Sequence, residues 1–209
     1  MIWGPLERTI SDRVEEFSTI PAERKQRLQE LARFVGDCLK AGRRAQLNFI
    51  CTHNSRRSHM AQLWAQAAAH YYGVTGVACY SGGTEATAFH PQAVKAMQDA
   101  GFRIEVVEAG SNPRYAVTLA EDIPPVTAFS KKYDDPFNPS SDFAAVMTCS
   151  EADANCPVVI GATRRISLTY EDPKAFDGTP QASDGYADRA RQIGREMLYA
   201  FSQVLLGVA

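Results

Sequence analysis

LNFICTHNSRRSHMAQLW, residues 47–64, is the stretch that decides the fold. LNFI is an apolar run that reads as the end of a buried strand, and HMAQLWAQAAAHYY from His59 reads as a helix. Between them Cys51 opens a short loop; five residues separate it from Arg57, and Ser58 follows. A strand–loop–helix of this kind turns backbone N–H groups inward, and the helix start adds partial positive charge, so the loop is an anion site. Thr52, His53, Asn54, Ser55, Arg56, Arg57 and Ser58 form the expected oxyanion-binding ring. Arg57 contributes a planar, two-pronged donor. The same field favours an ionised sulfur. The motif therefore aims a nucleophile at the centre of a tetrahedral oxyanion such as phosphate or arsenate.

Working outward, strands and helices alternate. AQLNFICT from Ala45 is the first strand, followed by the helix from about His59 to Tyr72. VTGVACYSGGT is a second strand ending in glycines, and HPQAVKAMQDAG a second helix with Pro91 in its first turn. DFAAVMTCS and RRISLTYED are two further strands, and a last helix runs from about Ala187 to Leu206. This order predicts an α/β three-layer sandwich with a mostly parallel four-stranded sheet. Residues 45–209 make up that domain. An insertion at about 112–141 carries five prolines and two alternating runs, RYAVTLA and VTAFSKKY, which read as a β-hairpin. Residues 1–44 read as a helical extension, with Leu28, Leu31, Ala32, Val35 and Leu39 at helical spacing. They carry no chemistry; the expected role is packing, or a homodimer contact.

The composition excludes several classes. A net charge of -2 gives no general attraction to nucleic acid or to an anionic membrane. No apolar stretch approaches a membrane span, and the N-terminus lacks the order of a signal peptide, so a cytoplasmic protein is expected. Five cysteines, unevenly spaced, do not form a secreted disulfide framework.

Three of those cysteines invite chemistry. Cys149 ends an apolar strand, and parallel strands converge their carboxyl ends on one side of the sheet, which brings it toward Cys51. Cys156 follows after a short polar stretch, SEADAN, read as a loop able to carry Cys149 to either partner. That is what a thiol–disulfide relay requires. Two structural cysteines, or a weaker zinc reading, are the alternatives; no metal and no cofactor are expected. Cys38 and Cys79 read as buried and inert. For a general acid, Asp172 before Pro173 follows the RRISLT strand, with Glu171 beside it to disfavour a second negative charge. Asp134-Asp135-Pro136 is the decoy, read as a turn. His53 is expected to face solvent, and His59 to adjust access to the loop.

FICTHNSRRSHMAQ, YSGGTEATAFHPQAVKAM, TCSEADANCP and YEDP together resemble the low-molecular-weight tyrosine phosphatase superfamily, and within it the thioredoxin-coupled arsenate reductases. The resemblance runs from about Leu47 to the last helix. It implies that Cys51, Arg57 and Asp172 are the shared nucleophile, oxyanion ligand and acid, and that Cys149 and Cys156 complete a reductase relay. It implies arsenate or a phosphate ester as substrate and a thioredoxin-like protein as reductant. The chain departs from the family at His53, where glycine is usual, and at Arg56, where many reductases have cysteine. Some relatives hold potassium under the loop; Asn54 and Ser81 match that pattern, but Gln62 replaces the acid. The expected function is arsenate reduction with residual phosphatase activity. A tyrosine phosphatase, with Tyr170 and Tyr133 as candidate aromatics at the cleft, and a non-catalytic oxyanion or phosphoprotein binding module are the competing readings.

Overall fold

The computed structural model describes residues 2–155 and 158–207. In chain order the elements are α1 (Gly4–Glu15), α2 (Ala22–Lys40), β1 (Ala45–Cys51), α3 (Arg57–Tyr71), β2 (Val77–Gly83) and α4 (Pro91–Asp99). They continue with β3 (Arg103–Glu108), β4 (Arg114–Thr118), β5 (Val126–Ala128), β6 (Phe143–Met147), α5 (Ser150–Asn155), β7 (Ala162–Ser167) and α6 (Ala182–Gly207). The four-stranded sheet has the order β2-β1-β6-β7, and all three of its pairings are parallel. The α/β class and the sheet read from the sequence are thus the observed ones.

Period-two alternation divides the central strands between two cores. Leu47, Phe49, Ala144 and Val146 face the large core under the helices, while Ile50, Phe143, Ala145 and Met147 face a smaller one closed by Ala152, Val159 and Tyr133. In the large core α6 packs against α1, α2, α3 and α4. Trp64 on α3 lies flat against Gly194 on α6; a Cβ there would stand 2.7 Å from the indole. Leu6, Ile10, Leu28, Leu31 and Val35 are fully buried in that same core. The apolar face of α2 is therefore occupied within the chain, and truncating one of these leucines to alanine would cost about 2–5 kcal/mol.

Two stretches differ from the sequence reading. The hairpin read in the insertion is present, β4 paired antiparallel with β5, but β3, which precedes the insertion, pairs with β4 and makes the sheet three-stranded. The extra strand, RIEVVE, was hidden because only Ile104 of it is buried and charges occupy Arg103, Glu105 and Glu108. SEADAN is helical, not a loop. Glu151 and Asp153 in its first turn complement the positive end of the helix.

Candidate active site

The loop after β1 closes on itself through polar groups that have no access to water. Asn54 takes φ 44°, a left-handed conformation that asparagine tolerates better than most residues. Its side-chain Nδ2 donates to Ser58 Oγ at 2.8 Å, and its Oδ1 accepts the Lys131 N–H at 2.9 Å. Ser58 Oγ, already an acceptor, has its proton free for Cys51 Sγ at 3.1 Å. The loop carbonyls are held from outside: Ser55 by His90 N–H at 2.9 Å, and His53 by Ser130 Oγ at 3.0 Å and Thr87 Oγ1 at 3.2 Å. Gly83 at the end of β2 permits this closeness, since a Cβ there would come within 2.7 Å of Asn54 N and Thr52 O.

Arg57 is buried and donates to the Tyr170 carbonyl at 2.9 Å and to Asp172 Oδ2 at 2.5 Å. Asp172 Oδ1 caps the 3-10 turn Pro173–Phe176 through the Lys174 N–H at 3.0 Å. The acid expected from sequence thus stands against the arginine of the loop, while the decoy Asp135 caps a local turn through the Phe137 N–H at 2.9 Å.

Cys149 also arrives at the loop. Thr148 bonds the Ile50 carbonyl through its N–H at 2.8 Å and its hydroxyl at 2.9 Å, which brings Cys149 into the same small buried cluster as Cys51. Cys149 Sγ lies 3.5 Å from Thr52 Oγ1 and accepts the Ala152 N–H at 3.3 Å, at the start of α5. Thr52 Oγ1 also donates to Glu151 at 3.1 Å. Cys156 lies outside the described residues. Cys38 and Cys79 are buried away from the loop, and burial raises both thiols above the ordinary range.

Several other residues expected at the site have different settings. His53 is half-exposed, 3.7 Å from Glu85. His59 does not reach the opening: it is fully buried, stacked on Phe89 at 4.1 Å, with Nδ1 3.3 Å from Ser81 Oγ. Burial, aided by the charge of Lys131, drives its pKa well below the histidine range. The Arg56 side chain bonds Tyr186 and Asp177. The two candidate aromatics differ in setting. Tyr170 is buried under the Arg24 guanidinium, 4.6 Å from its ring centroid, and Tyr133 packs on the smaller core. Among the groups matching a potassium pattern, Gln62 Nε2 donates to the Cys79 carbonyl at 3.1 Å, and Asn54 and Ser81 have the partners given above. Among the described residues no group of three or more His, Cys, Asp or Glu side chains is arranged to hold a metal ion.

Sequence reasoning missed Lys131, Asp177 and Tyr186. Lys131 is almost fully buried beneath the loop with Nζ 4.6 Å from the Phe129 ring centroid; burial, against partial relief from Asp135, lowers its pKa to about 8. Only the fold brings these residues to the loop, so no local pattern marked them.

Comparison with known proteins agrees with this geometry. The family described as low molecular weight phosphotyrosine protein phosphatase matches residues 46–120. An arsenate reductase of Bacillus subtilis is 30% identical over 150 residues, covering 71% of this chain and 89% of the relative. One from Staphylococcus epidermidis is 31% identical over 127 residues, covering 60% of this chain and 76% of its own length. Among solved structures, a low molecular weight phosphotyrosine phosphatase from Vibrio cholerae superposes with a TM-score of 0.53 at 14% identity, over 76% of this chain and 95% of that one. A YwlE mutant from Bacillus subtilis gives 0.51 at 15% identity, over 77% and 99%. At such identities the structures speak for the fold alone. No described helix is long and apolar enough to cross a membrane.

Proposed function

Because this chain belongs to the low-molecular-weight phosphotyrosine protein phosphatase family, we propose, from that premise and from its second thiol, that it reduces arsenate to arsenite through a cysteine relay. The observation that carries the reading is Cys149, which touches Thr52 of the loop and shares a buried cluster with Cys51. Ester hydrolysis has no use for a thiol there; disulfide exchange cannot proceed without one.

Arsenate sits on the loop N–H groups and Arg57. The Cys51 sulfur attacks arsenic, and an oxygen leaves as water with a proton from Asp172. Arg57 and the loop amides hold the charge of the transition state. Cys149 then attacks Cys51 Sγ. The S–As electron pair stays on arsenic, which falls from As(V) to As(III) and departs as arsenite, and the two sulfurs become a disulfide. Cys156 attacks Cys149, freeing Cys51, and an external dithiol protein of the thioredoxin kind reduces the 149–156 pair. The six helical residues between those cysteines rise about 9 Å. A disulfide tolerates roughly 7 Å between Cα atoms.

The test is arsenate reduction by purified protein with thioredoxin and its reductase, run beside aryl phosphate hydrolysis. Cys149→Ser and Cys156→Ser should stop reduction and leave the hydrolysis rate within about twofold, because neither touches the first half-reaction. Normal reduction by Cys149→Ser would refute the relay. The phosphatase reading has the complete loop in its favour, but Tyr170, one of its two candidate aromatics, is buried. Phosphotyrosine turnover far above arsenate turnover would favour it, and tight phosphate binding with no turnover of either substrate would favour a binding module.

A further inference from the structure

The turn that carries Asp172 is tied to the oxyanion loop at both ends, by consecutive arginines. At its start Asp172 accepts from Arg57 at 2.5 Å. At its end Asp177 accepts from Arg56 at 2.9 Å and from the Tyr186 hydroxyl at 2.7 Å. That hydroxyl in turn accepts from Arg56 Nε at 2.6 Å, closing a three-membered ring of hydrogen bonds. Tyr186 is a rigid post: it is fully buried on α6, its ring stacked on His90 at 5.3 Å.

The two ties have different fates in a reaction. A guanidinium prong bonded to Asp172 is not available to an oxyanion oxygen, and a carboxylate gripped by that prong holds no proton to give. To act as an acid Asp172 must therefore let go of Arg57, whose Nε has no partner and is open to an oxyanion oxygen. If that were the turn's only anchor, the acid would come loose at the moment it is needed. The Arg56 guanidinium has no such second task, since its donors already serve Tyr186 and Asp177. Burial works against ionisation of Asp177, but Tyr186, Arg56 and His90 outweigh it and hold the carboxyl below its ordinary range, so the anchor stays charged at neutral pH.

We propose that Arg56, Asp177 and Tyr186 are positioning residues that clamp the acid-bearing turn to the oxyanion loop while Arg57 changes partner from Asp172 to substrate. The proposal rests on Asp172 being the general acid, and its test separates the two. Two esters are compared: phenyl phosphate, whose leaving group needs a proton, and 2,4-dinitrophenyl phosphate, whose leaving group needs little help. Asp172→Asn should lose about 100-fold or more in kcat on the first ester and far less on the second. Asp177→Asn and Tyr186→Phe should copy that skew at about 10-fold, with KM nearly constant, because a displaced acid is a weaker acid. Arg56→Lys should keep more of the phenyl phosphate rate than Arg56→Ala. The double variant Asp172→Asn/Asp177→Asn should be no slower than Asp172→Asn, since nothing is left to position. Equal losses on both esters, a raised KM alone, or additive losses in the double variant would overturn the clamp while leaving the acid in place. A missing skew in Asp172→Asn itself, or a wild type that cleaves neither ester, would bring down the acid assignment and the clamp together. If Asp177→Asn does not fold, Tyr186→Phe, which keeps the ring packing, carries the same test.

Discussion

The oxyanion loop and the α5 segment leave the same end of the same sheet, each with a cysteine at its root, and they are built for opposite purposes. In the loop, Asn54, Arg57 and Ser58 are buried and bonded, and carbonyls as well as side chains are pinned from neighbouring elements. In α5 only Ala152 is buried; Ser150, Glu151, Ala154 and Asn155 are exposed, and Val158 and Ile160 beyond it are 76% and 82% exposed. Asp153 ties it to β7, pairing with Arg165 and accepting from Ser167 Oγ at 2.7 Å. The contrast matches the proposed chemistry. The first thiol must hold a fixed line of attack on a bound oxyanion, which needs preorganisation. The second must travel from one sulfur to another, which needs a segment with low local stability.

This comparison can be broken at its strongest point first. Cys51→Ser should abolish arsenate reduction and aryl phosphate hydrolysis alike; surviving activity in either assay would move the nucleophile elsewhere. Next, Asn54→Ala removes two buried hydrogen bonds and leaves alanine at positive φ. It should cost about 2–4 kcal/mol in urea unfolding and a large part of kcat in both assays. A loop that tolerated this change would not be the rigid half of the pair.

A third effect is in pH. His59 beneath the loop is held neutral by burial, its pKa well below the ordinary value, while in the unfolded chain it titrates normally. Below about pH 6.5 the unfolded state therefore binds the extra proton, and stability falls with pH by up to about 1.4 kcal/mol per unit. Urea midpoints between pH 7.5 and 5.5 should show this slope, and His59→Gln should flatten it. Smallest of all, Ser167→Ala should lower global stability by less than about 1 kcal/mol, since it loses one partly exposed hydrogen bond. It should nevertheless speed formation of the 149–156 disulfide after a single arsenate turnover, read by mass spectrometry. An unchanged or slower exchange would mean that α5 is not what limits that step.

How much of this was legible depends on range. The strand, loop and helix around Cys51 could be read because each depends on neighbours within a few residues: an apolar run, a tight turn, a helical period. Asp172 was within reach because Asp-Pro at a strand end is a local signature. β3 was missed because its charged residues face out from a thin three-stranded sheet, leaving no alternation to see. SEADAN was misread because a polar segment of six residues carries too little period to separate helix from loop. Tyr186 gave no signal: in the sequence it is one more aromatic in a helix, and its role comes from standing 2.6 Å from Arg56 across 130 residues of chain.

The order of residues along the chain was enough to establish the class of fold and to mark the strand–loop–helix around Cys51 and the approach of Cys149, because strand ends and helix starts are local events and parallel strands deliver their ends to one edge. Tertiary structure alone decided which polar groups lost water and found each other. It put the arginine of the loop on the acid, the neighbouring arginine on a second carboxylate, and a neutral histidine and a nearly buried lysine underneath. Those pairings are made by groups distant in sequence whose burial forces each to find a partner, and no window of sequence contains both members of such a pair.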